Sequence, residues 1–189
     1  MNKFKHYDEG SIILSKEFYE EMEQIVQRVV DDMSQDKKKV KIGSNEYTLK
    51  KLPDGKVWMM ENLQEYVEGA MWNEQYNCYM YTFNQAYHAV PEGYHLPSAQ
   101  EFMKLAMALG YLKDSEEIVS ERLQEYCGFV FSGFAYDTGG LRAQGRDGYY
   151  WSSTQYDATT IYHLVFSSEV DRISYSSNDH RMAVRLIKD

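Results

Sequence analysis

The chain has 189 residues, enough for one substantial core and a small appendage but not for two full domains. Its composition is globular, 43% hydrophobic and 26% charged, and its 17 tyrosines exceed what a core needs, so several are expected at a surface. A net charge of −9, with no basic stripe beyond Lys37-Lys38-Lys39-Val40-Lys41, excludes nucleic acid as a partner, and the absence of a long apolar run excludes membrane insertion.

Along the chain, the first residues hold one short apolar patch, Ile12-Ile13-Leu14, and lack the apolar stretch and cleavage site of a secretory signal. They predict cytoplasmic synthesis without a signal peptide and do not choose between virion and cell association. Residues 15–33 read as a helix. Ser15 is the N-cap, and Phe18, Met22, Ile25, Val26, Val29 and Met33 recur at spacings of three and four. This stripe either packs on its own domain or pairs chains into a homo-oligomer. Residues 34–41 are the linker, which places an N-terminal helix and linker over 1–39 and the main domain over 40–189.

Val40, Ile42, Tyr47, Leu49 and Leu52 predict a hairpin turning at Gly43-Ser44-Asn45, with Pro53-Asp54-Gly55 as a second turn and a strand from Val57 to Met60. A short helix follows from Asn84 to Val90, stopped by Pro91. A firmer one runs from Ser98 to Leu109, where Ser98 and Glu101 form a capping-box pattern and Gly110 ends the helix. Asp114 with Glu117 repeats the pattern for a helix to Tyr126, closed by Gly128. From Phe129 onward only strand-like alternation remains. The layout is α+β, with two or three helices, a C-terminal antiparallel β-region and the extra N-terminal helix.

The window from Tyr156 to Arg181 departs from everything upstream. Lys, Gln, Glu, Met and Trp make up about a third of residues 1–155, which would put about eight of them in this window; only Glu169 appears. Tyr, Ser, Thr, Asp, His and Arg fill it instead, a vocabulary of rigid contact area and adaptable hydrogen bonds suited to ligand recognition. In the strand from Ile161 to Phe166, period two points Tyr162, Leu164 and Phe166 inward and His163 and Val165 outward. The candidate ligand-binding set is Asp157, Thr159, Thr160, His163, Val165, Asp171, Arg172, Ser174, Tyr175, Ser177, Asp179 and His180. Outward positions of this kind should tolerate joint replacement of Asp157, Thr159, His163, Val165 and Tyr175 without unfolding.

No metalloprotease, P-loop, nucleophile-elbow or CxxC pattern is present, so no catalytic residue, metal ligand or cofactor is assigned and the protein is expected not to be an enzyme. Asn178-Asp179-His180 offers too few oxygens for a hard cation and reads as an exposed loop. Cys78 and Cys127 read as buried structural thiols. His95, at a strand-to-helix junction before Pro97, reads as a hydrogen-bonded structural residue.

Three segments carry a resemblance: Asp54-Gly-Lys-Val-Trp-Met-Met-Glu-Asn-Leu63, Gly93-Tyr-His-Leu-Pro-Ser-Ala-Gln-Glu-Phe102, and Tyr150-Trp-Ser-Ser-Thr154 with Val184-Arg-Leu-Ile-Lys-Asp189. Together they resemble the Fibrobacter succinogenes major paralogous domain over about residues 40–189. The resemblance implies a C-type lectin-like fold whose terminal strands pair and whose last strands present a ligand surface. Trp58 and Trp151 read as its core anchors. Where the family carries two cysteines this chain has Val90 and Leu186, which the resemblance implies lie close together and which fit a domain made in a reducing compartment.

The chain's ending also resembles the variable proteins of diversity-generating retroelements, whose varied codons cannot encode the residues scarce after Tyr156. That resemblance implies a non-enzymatic protein displaying a diversified surface, residues about 156–181, to a protein or glycan receptor. The alternative is a structural or assembly module of the paralogous family. If residues 15–33 associate between chains, deleting them lowers the solution mass measured by light scattering without unfolding the rest; an unchanged mass returns the stripe to its own domain.

Overall fold

A computed structural model describes residues 37–110, 119–137, 139–168 and 171–189, preceded by Phe4–His6, Ile12–Leu14 and a few positions between 16 and 28. Most of the expected N-terminal helix therefore lies outside the described residues. Lys16, Glu20, Glu21, Gln24, Ile25 and Arg28 are helical, and Ile25 of the apolar stripe is exposed. Before them, β1 (Phe4–His6) and β2 (Ile12–Leu14) form an antiparallel hairpin that the sequence reading took only as an apolar patch.

Strands β3 (Lys38–Ile42) and β4 (Asn45–Lys51) form the expected hairpin, with Ile42 opposite Asn45. The turn is thus Gly43-Ser44 alone, made possible by the positive φ of Gly43, 56°. A second turn leads into β5 (Val57–Met59), where the Trp58 indole donates to Asp54 Oδ2 at 2.9 Å and fixes the loop to the core. Next come β6 (Met71–Asn73), β7 (Cys78–Met80) and α1 (Phe83–Ala89), which starts one residue earlier than expected because Thr82 and Gln85 form a capping box. After β8 (Tyr94–His95), α2 (Ala99–Ala108) carries the predicted Ser98–Glu101 capping box. Helix α3 spans Ser120–Cys127, with Val119 at its N-cap position and no side-chain cap. The expected earlier start at Asp114–Glu117 lies outside the described residues. Gly128 ends α3 in the left-handed region, φ 67°, and a Cβ there would sit 2.5 Å from the Met60 carbonyl oxygen.

The remainder is β, as its alternation predicted: β9 (Phe134–Ala135), β10 (Leu141–Arg142), β11 (Asp147–Gln155), β12 (Thr160–Ser167), β13 (Asp171–Ser177) and β14 (Ile187–Lys188). Two antiparallel sheets organise the fold. One is five-stranded in the order β3-β4-β5-β14-β8, so the last strand inserts between two early ones, with Ile187 opposite both Trp58 and His95. The other is β11-β12-β13. With three α-helices among the described residues from 37 to 189, the protein is α+β with mostly antiparallel sheets.

Two apolar clusters hold these layers together. Trp58, Phe102, Phe129, Leu164 and Phe166 lie in one, where α2 and α3 meet the inner face of the second sheet. Trp151 and Leu186 lie in the other, with the partly buried Val90 packed against it, so the positions where the family places cysteines share one core. Cys78 and Cys127 are free and fully buried, and burial pushes their thiols up to about 11 and about 12, far from reactive. His95 is held as expected: Nδ1 lies 2.6 Å from Asp189 Oδ1 and Nε2 lies 3.2 Å from Glu101 Oε1.

Burial alone would raise the Glu101 carboxyl, but hydrogen bonds from Ser98, His95 and Lys56 outweigh it and hold the group down at about 2. Its contribution to stability is therefore present above the ordinary carboxylate value of 4.5 and is lost as pH falls towards 2. In urea titrations at several pH values, Glu101→Gln should flatten the acid limb of the stability curve; an unaltered limb would remove Glu101 as a contributor. Leu186→Ala should cost about 2–5 kcal/mol by leaving a cavity. The fully buried Arg185 guanidinium donates to the Met59, Met60, Cys127 and Gly128 carbonyls, so Arg185→Met should cost more, since each carbonyl left unpaired loses roughly 1–3 kcal/mol. Equal losses in the two variants would count against that ranking.

Candidate functional site

The second sheet has two unlike faces. Cross-strand partners share a face, so the register of β11, β12 and β13 sets Tyr149, Val165 and Arg172 in one row and Trp151, His163 and Ser174 in the next. These rows face away from Leu164 and Phe166, as period two predicted. They do not face open solvent. His163 is 2% exposed and Val165 7%. The outward, tolerant placement of these two residues is corrected. The second face is itself walled by Phe134 and Tyr136, after the α3 region, and by His180 and Met182, beyond β13. His163 and Val165 form the floor of a groove, so replacing them with the exposed positions should no longer be neutral.

The groove holds about 200 Å³ over Tyr149, His163, Val165, Arg172, Ser174 and His180, and continues into a hollow of about 390 Å³ bordered by Arg146, Asp147, Ser167 and Ser168. Tyr149, Val165 and Arg172 line both parts. Ring contacts brace the walls: Phe134 lies 4.7 Å from Tyr149 and 5.2 Å from Tyr136, and Tyr136 meets His180 edge-on at 5.0 Å. His163 packs between Tyr149, at 5.7 Å, and Trp151, at 6.1 Å.

Polar chemistry is concentrated on this floor. The Nδ1 atoms of His163 and His180 are buried with no hydrogen-bond partner among the described residues. Burial, partly offset by a backbone hydrogen bond at Ile161, draws His163 down to about 4, and burial also lowers His180. Both rings are therefore neutral near pH 7, each able to donate or accept according to its tautomer. Arg172 is exposed at the rim, and among the described residues it makes no hydrogen bond or ion pair. Among the described residues no three His, Cys, Asp or Glu side chains gather into a metal-ligating cluster.

The expected binding set is divided by the fold. His163, Val165, Arg172, Ser174 and His180 come together in the groove. Thr160, Tyr175 and Ser177 lie on the opposite face of the sheet, in register with Ser177, Tyr162 and Thr160 respectively. A single continuous surface over all twelve positions is thus corrected: one strand carries side chains to both faces. Tyr175 stacks on Tyr156 at 4.7 Å, with Tyr162 edge-on, and each residue of the stacked pair is 55% exposed. Asp157 and Thr159 sit in the exposed β11–β12 turn, where Asp157 Oδ1 accepts from the Thr159 N–H at 2.9 Å. Asp179 is exposed in the turn after β13, whose N–H donates to Ser177 Oγ. Asp171 opposes Phe166 in β13, but its side chain lies outside the described residues.

Sequence reading missed Phe134, Tyr136, Tyr149 and Arg146. Tyr149 was recoverable by extending the alternation into β11. The wall residues had no local signal, since a two-residue strand far along the chain brings them there.

The opening strands, β3 to β5, precede the matched segment that follows, yet they hydrogen-bond into the same sheet as β14. Neither the curated proteins nor the solved structures contain a match to the chain. A family model described as the Fibrobacter succinogenes major domain matches residues 62–188, well over half of the chain. With the middle motif segment and all but the final residue of the terminal one inside that span, the chain belongs to the Fibrobacter succinogenes major domain family.

Proposed function

We propose that this is a non-enzymatic recognition protein of C-type lectin-like fold that binds a protein or glycan receptor through the groove over β11, β12 and β13. The observation that carries the reading is the groove itself: aromatic walls around a floor where a buried imidazole nitrogen has no hydrogen-bond partner among the described residues. Convergent polar groups in a concave aromatic setting are the usual form of a binding site. The lectin-like assignment is supported by the pairing of β14 with β5, which joins the two ends of the domain in one sheet. Retroelement diversification is supported by the residue bias after Tyr156 and would act on exposed or half-exposed positions such as Asp157, Thr159, Arg172, Ser174 and Tyr175. A reverse-transcriptase gene beside the locus with an imperfect repeat of its 3′ end would support it; a locus without both would end it.

An assembly module remains the second reading, favoured by the stacked and exposed Tyr156–Tyr175 pair, an apolar contact surface on the face opposite the groove. Two double variants separate the readings on an array of immobilised glycans and proteins. Tyr136→Ser with Arg172→Gln should abolish array binding while circular dichroism and mass stay unchanged. Tyr156→Ser with Tyr175→Ser should leave array binding intact. A lower solution mass in the second variant, with no array binding by the parent, would instead favour assembly.

A further inference from the structure

Resting on the groove as the recognition site, the geometry points to a ligand that is an acidic sugar: a hydroxylated ring bearing a carboxylate. On a protein of net charge −9, the described residues lining the part of the groove over His163 and His180 include no Asp or Glu. The adjoining hollow contains Asp147, but both of its oxygens accept from Arg146, at 3.0 and 2.8 Å, so its charge is already matched. Arg172 borders both parts and has no ion pair among the described residues. A planar guanidinium in that position matches a carboxylate through two parallel hydrogen bonds.

The rest of the groove selects the body that carries this carboxylate. His163 is more than nine-tenths buried, lines the groove and has an unpartnered Nδ1, and His180 presents a second such nitrogen at the wall. A ligand hydroxyl both donates and accepts, so it satisfies either imidazole tautomer. Ser174 and Ser176 add hydroxyl partners on the same face. The rings of Phe134, Tyr136 and Tyr149 offer apolar walls against which the C–H surface of a sugar can pack. An acidic peptide side chain would meet Arg172 but would bring one carboxylate and no hydroxyls to the two imidazoles, which is why the sugar is favoured over a peptide.

The test uses the whole chain and three simple probes: glucuronate, glucose, which has the ring without the acid, and succinate, which has the acid without the ring. Binding is read by NMR from the ring resonances of His163 and His180, assigned with His163→Gln and His180→Gln. Glucuronate should shift both imidazoles and bind at least tenfold more tightly than glucose or succinate. Arg172→Gln, at an exposed position, should lose at least tenfold for glucuronate and leave the weak glucose response unaltered. Equal binding of glucose would overturn the anion requirement, and equal binding of succinate would overturn the sugar ring. If none of the three moves the imidazoles while array binding still depends on Tyr136 and Arg172, the acidic-sugar inference fails and the groove reading survives. If array binding is independent of those residues as well, both fail.

Discussion

Arg185 is a cation in the centre of the protein with no exposed surface, and the arrangement of the other elements follows from how it is satisfied. Leaving such a charge unpaired in an apolar interior would cost several kcal/mol. Here the guanidinium donates to the carbonyls of Met59 (3.1 Å), Met60, Cys127 (3.1 Å) and Gly128 (2.6 Å), and to Asn62 Oδ1 at 2.7 Å. It lies 4.6 Å from the ring centre of Phe129 and 5.9 Å from that of Tyr150. Burial pulls its pKa below the ordinary arginine value, and the Tyr150 hydroxyl, the Cys127 thiol and the Glu61 carboxylate oppose that pull. The two carbonyls at the end of α3 carry the negative end of the helix dipole, which adds to the attraction.

One side chain thereby joins three distant pieces of chain: the exit of β5, the end of α3, and the segment that enters β14. Gly128 is part of the same constraint, since only glycine lets α3 turn left-handed while its backbone passes so close to Met60. With that segment fixed, the Leu186 carbonyl accepts from the Met59 N–H and the Val184 carbonyl from the Leu63 N–H, each at 2.9 Å. Further upstream the same strand-like segment exchanges hydrogen bonds with Tyr81 and accepts from Trp151. The residues from Arg181 to Ala183 are therefore held between the two halves of the fold, and His180 and Met182 are delivered to the groove wall.

The three-stranded sheet then has a different task on each face. Leu164 and Phe166 anchor it to the helices, so its inner surface is rigid. The opposite rows can hold polar groups because the groove walls partly shield them while leaving an opening. A buried histidine with an unsatisfied nitrogen costs stability, a cost the proposed ligand would offset. Rigid aromatic walls would reduce the entropy lost on binding if the groove serves the proposed recognition role.

What the sequence determined by itself was local. The Ser98–Glu101 capping box places α2 because both of its hydrogen bonds close within one turn, and Gly43 places the first hairpin because its positive φ is a property of a single residue. Period two set Leu164 and Phe166 on one side of β12 and His163 and Val165 on the other, and the core positions of Trp58, Trp151 and Leu186 followed from their motifs. The exposure of His163 and Val165 was not local, because it depends on whether residues near 134 and 180 wall that face. Nor was the role of Arg185, which a terminal Val-Arg-Leu reads as an ordinary strand charge. Its acceptors lie as far as 126 positions earlier in the chain. Alternation fixes which way a side chain points, but only tertiary packing decides what it meets there, and the groove consists entirely of such meetings.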